Sequence, residues 1–334
     1  MSTINLFDLY NSLKTPSLGG EKNQLRFSAC PIPNFEKHRL AKDSNNYPSI
    51  LISTKGKADV RPAPIKLEHL RVLYDVDCRI SQEAKLEENR FTVVSCTDSD
   101  PQMQEYFLRV AATIVTVIGE DPSHSQVAKV VGNLVELFRV MNDVPKKSLQ
   151  GLWAELFLIS VARKPDELLR AWHTSPEDKY DFSSGGQRIE VKSSTSKARQ
   201  HHFALEQLKP QNGIEVLIAS VFVERIGSGT SLVEIADMIR SKLSKDADLL
   251  LYLDQIIGIT LGNQWRSATE DRFDYQLAKK TLNFYNAEKI PSIDTKLPKE
   301  ISSVHFKVDL TEITPLDKES LKTQDGLFKA VSSK

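Results

Sequence analysis

The chain has 334 residues, with 44 Lys+Arg against 44 Asp+Glu, so its formal net charge at pH 7 is zero. Without a basic excess it is not a coat-like nucleic-acid binder, and any affinity for DNA must come from a local patch. The length suits one large domain or two ordinary ones, and the 3 cysteines, Cys30, Cys78 and Cys96, lie too far apart for a zinc site and read as reduced structural thiols. No stretch approaches the roughly 20 apolar residues that span a bilayer. The start MSTINLFDLYNSLK lacks the basic beginning and long apolar run of a signal peptide, so the expectation is a cytoplasmic protein with no membrane contact.

In chain order, residues 1–100 mix short β-rich runs (Leu25 to Cys30, Ser49 to Ser53, Leu70 to Tyr74, Phe91 to Cys96) with turn formers, which predicts a β-rich N-terminal domain. A second domain is expected over 101–334, opening with a helical bridge over 101–145. One helix of that bridge runs from Gln102 to about Ile118, and another is opened by Asp121-Pro122-Ser123 and reaches about Met141. The core of this domain is expected at about 145–260. It begins with a helix capped by Ser148 that is apolar through Leu152, Trp153, Leu156, Phe157 and Ile159. Strands follow at Tyr180 to Phe182, Arg188 to Ser193, His202 to Leu208 and Glu215 to Arg225, read as two antiparallel hairpins in series. Ser231 with Glu234 forms a capping box for a helix through Ile239, and a further helix spans Asp246 to Ile257. Phe273 to Leu310 reads as more strands, and about the last twenty residues as a polar end that frays.

The chemistry concentrates in Lys179-Tyr180-Asp181-Phe182-Ser183-Ser184-Gly185-Gly186-Gln187-Arg188-Ile189-Glu190-Val191-Lys192. Side chains two apart on a strand share a face, so Glu190 and Lys192 project together, and a hairpin brings Asp181 beside them. Two converging carboxylates form a hard oxygen site for Mg²⁺ or Mn²⁺, and a nearby lysine orients or deprotonates a water and offsets phosphate charge. The bland alternative is a solvated hairpin with charged residues on its wet face. Glu155, set among Gly151, Leu152, Leu158 and Ile159, adds weight, because a carboxylate in an apolar stripe is costly without a partner. Beyond the lysine, Arg199-Gln200-His201-His202-Phe203 and Gln207 gather donors that suit phosphate oxygens. Adjacent histidines point to opposite faces, and His202 is taken as the phosphate or water contact. Lys146-Lys147 and the Lys197/Arg199 pair are further phosphate candidates, although short basic clusters are usually solvated surface.

This arrangement resembles the PD-(D/E)XK nuclease superfamily, with Tyr180-Asp181 in place of the Pro-Asp and Glu190-Val191-Lys192 as the acid-x-Lys. The run from Trp153 to Leu208 is similar to a bacterial family of that superfamily associated with restriction-type defence gene clusters, most strongly over about 145 to 225. The resemblance implies a restriction-endonuclease-like α/β/α core with a mixed sheet, preceded by the β-rich domain. It further implies a Mg²⁺-dependent deoxyribonuclease, with Mn²⁺ as substitute, cutting double-stranded DNA in a restriction or anti-phage system. Asp181, Glu190 and Glu155 would hold the metal and Lys192 would handle the water. Lys197, Arg199, His202 and Gln207 would contact DNA. A partner ATPase or methyltransferase, and a homodimer to cut both strands, are implied as companions. The competing readings are a non-cleaving DNA-binding or scaffold subunit of such a system and a purely structural partner.

Overall fold

A computed structural model of the chain describes all residues except 1–5, 17–24, 57–60, 83–84, 142–144, 146, 174–177, 196–197, 244–245, 295–297, 302 and 333–334. The chain forms two compact units, Met1–Asp143 with Ser244–Gly258, and Val144–Leu243 with Ile259–Lys334.

The first unit opens with helix α1 (Leu6–Ser12) and continues through strands β1 (Leu25–Ile32), β2 (Phe35–Lys42), β3 (Pro48–Ile52), β4 (Ile65–Lys66), β5 (Leu70–Gln82) and β6 (Lys85–Cys96). Their order is β1-β2-β3-β6-β5-β4, and an additional parallel pairing of β1 with β5 closes a ring of strands. Closure removes open edges, and alternate residues fill the interior. Phe27 and Ala29, Cys78 and Ile80, and Phe91 and Val93 supply that core two by two. Helices α2 (Pro101–Ile118) and α3 (His124–Val140) follow, the first capped by Asp100 and the second by a Ser123/Gln126 capping box. The α2 residues Met103, Phe107, Val110 and Ile114 recur at helical spacing and are all buried, and α2 packs on β3, β6 and α3. The helices expected as a bridge in the second domain therefore group with the strands, and the unit runs on to Asp143 rather than ending near residue 100.

The second unit contains α4 (Leu149–Val161), α5 (Pro165–Ala171), β7 (Phe182–Ser184), β8 (Gln187–Ser194), β9 (Gln200–Ala204), α6 (Leu205–Leu208), β10 (Glu215–Phe222), β11 (Arg225–Ser231) and α7 (Leu232–Lys242). Next comes α8 (Ala247–Leu261), whose residues to Gly258 group with the first unit. The second unit resumes with α9 (Ser267–Glu270), β12 (Arg272–Phe273), α10 (Tyr275–Thr281), β13 (Asn283–Asn286), β14 (His305–Asp309), α11 (Lys318–Lys322) and α12 (Gly326–Val331). Its main sheet is mixed, in the order β13-β10-β8-β7, with β8 and β10 parallel and the two outer pairs antiparallel. Helices α4 and α12 pack on β8, and α10 packs on β10.

Only the first of the two expected hairpins forms. The pair β7–β8 turns through Gly185 at φ +52°, a left-handed conformation that glycine adopts without strain. β9 leaves the sheet to pair antiparallel with β14, and β10 returns beside β8 in parallel. Parallel neighbours need a crossover, which β9 and α6 provide. Burying Phe203 and Leu208 over Tyr180, Val216, Ile218 and Tyr285 holds that crossover down.

The expected frayed end is also corrected. Leu327, Phe328 and Val331 of α12 are buried, and the backbone N–H groups of Arg163 and Lys164 donate to Ser332 O and Ala330 O. Among the described residues, no helix is long and apolar enough to cross a membrane. Since α12 is part of the core, Leu327→Ala is expected to cost about 2–5 kcal/mol, the usual penalty for emptying a buried leucine site. A urea-denaturation midpoint unchanged from that of the parent chain would contradict this placement.

Candidate active site

Helix α4 is apolar on nearly every side, so it is buried almost throughout, and Glu155 goes in with it at 3 % exposure. The helix starts where Ser148 Oγ accepts the Gly151 N–H at 3.1 Å, which leaves Lys147 just outside the first turn. Its ammonium reaches back to donate to Glu155 Oε1 at 2.7 Å and to Asp181 Oδ1 at 2.6 Å. The other Glu155 oxygen, Oε2, accepts from Trp172 Nε1 at 2.7 Å and from His173 Nε2 at 2.9 Å.

Asp181 lies one residue before β7, in a bend rather than within the strand. Its backbone carbonyl accepts the His173 N–H, and its Oδ2 accepts the Val191 N–H at 2.7 Å. Where the superfamily signature carries proline, Tyr180 fixes the segment by donating its hydroxyl to Glu206 O at 2.7 Å. The Gln207 amide adds a second tie, to Lys179 O.

Phe182 pairs with Ile189, so the register sets Asp181 opposite Glu190. Glu190 Oε1 accepts from Lys192 Nζ at 2.7 Å and from Gln207 Nε2 at 2.7 Å, and Lys192 also donates to Gln207 Oε1 at 3.1 Å. The Lys192 ammonium stands 5.1 Å from the Phe203 ring centroid. Ile189 is fully buried on the opposite face.

Three carboxylates here share two ammonium groups, and the imbalance falls on Asp181. Burial raises the Asp181 carboxyl well above its ordinary value, and the charges of Glu155 and Glu190 add to that, against the opposing pull of Lys147. For Glu155, burial is outweighed by the His173 hydrogen bond and by Lys147, which together hold it down at about 2. Burial lowers the Lys147 ammonium less than Asp181 and Glu155 raise it, so it stays charged. The crowding is thus concentrated on Asp181, where an added positive charge would relieve most.

Glu155, His173 and Asp181 offer ligand atoms that all lie within 4.8 Å of one another, and all three residues are buried. Two carboxylates and an imidazole suit a divalent ion, and two of their oxygens already converge on one cationic nitrogen. The expected metal set named Glu190 with Glu155 and Asp181, whereas Glu190 is not in this group and His173 is. Nothing local marks His173. It reaches Asp181 only because an isolated bridge pairs Trp172 with Phe182.

The expected DNA contacts divide. Lys197 and Lys146 lie outside the described residues. Arg199 turns inward, donating to Ser220 O and Oγ and to Thr281 O, so its guanidinium braces β10 and is not offered to a phosphate. Gln207 is likewise engaged with Glu190, Lys192 and Lys179. His202 is exposed on β9, whereas His201 is buried against Ser220 Oγ at 2.8 Å. Lys147, for which the sequence offers a phosphate contact or solvated surface, belongs to the carboxylate cluster. Next to His173 and Tyr180 opens a cleft of about 550 Å³ whose wall includes Arg170, Lys179 and Arg188.

The family model described as "Putative PD-(D/E)XK family member, (DUF4420)" matches residues 8–311 of the chain. No curated protein and no solved structure matches it.

One consequence of this packing is accessible to titration. Burial, followed by the charges of Lys192 and Arg199, holds His201 down at about 4 from an ordinary 6.5. A folded value below the unfolded one means that this contribution to stability is present above pH 6.5 and is lost as pH falls from 6.5 towards 4. The His201 ring-proton resonance is expected to stay at its neutral position down to about pH 5. A midpoint at the ordinary value would show that the ring is not enclosed.

Proposed function

The chain belongs to this PD-(D/E)XK family, and from that premise we propose that it is a metal-dependent nuclease that hydrolyses phosphodiester bonds of DNA. The observation that carries the reading is the convergence of Glu155 Oε1 and Asp181 Oδ1 on a single cation, with the Glu190–Lys192 pair on the neighbouring strand.

In this reading Asp181, Glu155 and His173 hold the ion. Mg²⁺ or Mn²⁺ are the candidates, and between the two an imidazole among the ligands favours Mn²⁺ over the harder Mg²⁺. When bound, the ion supplies positive charge that offsets the phosphate and lowers the pKa of a water. Lys192, braced by Glu190 Oε1 and Gln207 Oε1, directs its ammonium at the attacking water and at the charge growing on the phosphoryl oxygens. Buried walls around Glu155 and Asp181 strengthen these interactions by excluding solvent. The cleft with Arg170, Lys179 and Arg188 is the proposed path of the strand, with the cations meeting its phosphates. The defence role, the double-stranded substrate and the partner ATPase or methyltransferase belong to this same proposal and rest on the family resemblance. The proposed homodimer rests on the need to cut two strands with one centre per chain, and the proposed cytoplasmic location on the start and hydropathy of the sequence.

A second reading, a non-cleaving DNA-binding or scaffold subunit, is favoured by Lys147, because carboxylates already paired with an ammonium have less need of a metal. Incubating purified protein with plasmid and Mn²⁺ or Mg²⁺ separates the two. Under the nuclease reading, Asp181→Ala and Lys192→Ala each lower cleavage by about 10²-fold or more. Full cleavage by Lys192→Ala would sink the assignment of its role, and DNA binding without cutting in either metal would favour the subunit reading. Arg188→Glu is expected to weaken oligonucleotide binding most at low salt and to flatten its salt dependence. Unchanged affinity would remove the cleft from the strand's path.

A further inference from the structure

We propose that Lys147 is a built-in counter-cation of the metal site: in the metal-free chain its ammonium occupies the position between Glu155 and Asp181, and it must withdraw when a divalent ion enters. This rests on the metal-nuclease reading and adds a residue that sets the ion's affinity. The ammonium sits 2.7 Å from Glu155 Oε1 and 2.6 Å from Asp181 Oδ1, so it faces the same pair of oxygens that a divalent ion would take. An ion bound at the usual roughly 2.0–2.2 Å from those oxygens would lie against the ammonium, and like charges in a buried site do not share such a place.

The way out is built in. The Lys147 side chain is 20 % exposed, while Glu155 and Asp181 are 4 % and 8 % exposed, so the lysine covers the carboxylates from the solvent side. It also precedes the Ser148 cap and is not locked in a helical turn. Lys192 does not hold this place, because two of its three donors anchor it at Glu190 and Gln207 and not between Glu155 and Asp181. Once displaced, the Lys147 ammonium remains on the open side of the site, where a phosphate would approach. Its departure also uncovers Asp181, the carboxylate most crowded by negative charge.

The test is Mn²⁺ binding to the full chain by isothermal titration calorimetry, with the thermal midpoint measured with and without Mn²⁺, on the parent and on Lys147→Gln. The expected result is Mn²⁺ affinity at least about tenfold tighter in Lys147→Gln. The metal-free midpoint should be lower than the parent's and should rise further on saturation. Lys147→Arg keeps the charge and should bind Mn²⁺ no tighter than the parent. Equal or weaker Mn²⁺ binding by Lys147→Gln, with clear binding by the parent, overturns this inference and leaves the nuclease reading standing. No Mn²⁺ binding by either chain removes both. If Lys147→Gln does not fold, acylation of the parent followed by mass spectrometry decides the matter. Lys147 should be protected without metal and labelled when Mn²⁺ saturates, and protection that persists under Mn²⁺ overturns the proposal.

Discussion

Burying three carboxylates on one helix and one hairpin is the constraint on which this region depends. Each ion removed from water costs several kcal/mol unless donors replace the solvent, so the surroundings of Glu155, Asp181 and Glu190 are dictated by the need for N–H groups. Glu155 takes them from Lys147, Trp172 and His173, Asp181 from Lys147 and the Val191 backbone, and Glu190 from Lys192 and Gln207. Features otherwise unrelated follow from this. The Trp172–His173 segment must lie beside Asp181, helix α6 must bring Gln207 over the sheet, and Tyr180 must tie the bend to α6. A tyrosine in the signature's proline position thus restricts the segment through a side-chain hydrogen bond where proline would restrict it through its ring.

The same economy explains where the positive charges went. Arg199 and His201 both reach Ser220 Oγ beneath the β9–β14 ribbon, where Arg199 is a brace and His201 is held neutral. Neither is available to a nucleic acid. The cations that border the cleft are instead Arg170 on α5, Lys179 ahead of β7 and Arg188 on β8, with Asp178 beside them. A basic residue in sequence near an acid-x-Lys triplet is therefore weak evidence of phosphate contact, since strand alternation sends half of such residues inward.

The first unit solves a different problem. A six-stranded sheet would expose edges ready to pair with other chains, and the β1–β5 pairing covers that of β1 and that of the second half of β5, leaving the short β4 at the end of the strand order. The family match runs across both units, from residue 8 to 311, so the family is defined by the closed β unit and the carboxylate-bearing unit together.

What could be read from the chain alone was everything that depends on neighbours within a few residues. This covers the apolar stripe of α2, the nearly all-round apolar surface of α4, the caps at Ser123, Ser148 and Ser231, the glycine turn between β7 and β8, and the shared face of Glu190 and Lys192. It extends to the burial of Glu155, because an acid ringed by apolar residues at helical spacing has few other places to go. Tertiary structure decided what depends on distant partners. Lys147 and Asp181 meet across 34 residues, Glu155 and His173 across 18, and Lys192 and Gln207 across 15. β9 prefers β14, about 100 residues away, to the strand beside it. Such meetings leave no periodic trace, because an ion pair or hydrogen bond constrains position in space and not spacing along the chain. The acids of the site and Lys192 were therefore visible in advance, while the place of Lys147 between Glu155 and Asp181, and the His173 imidazole beside them, were not.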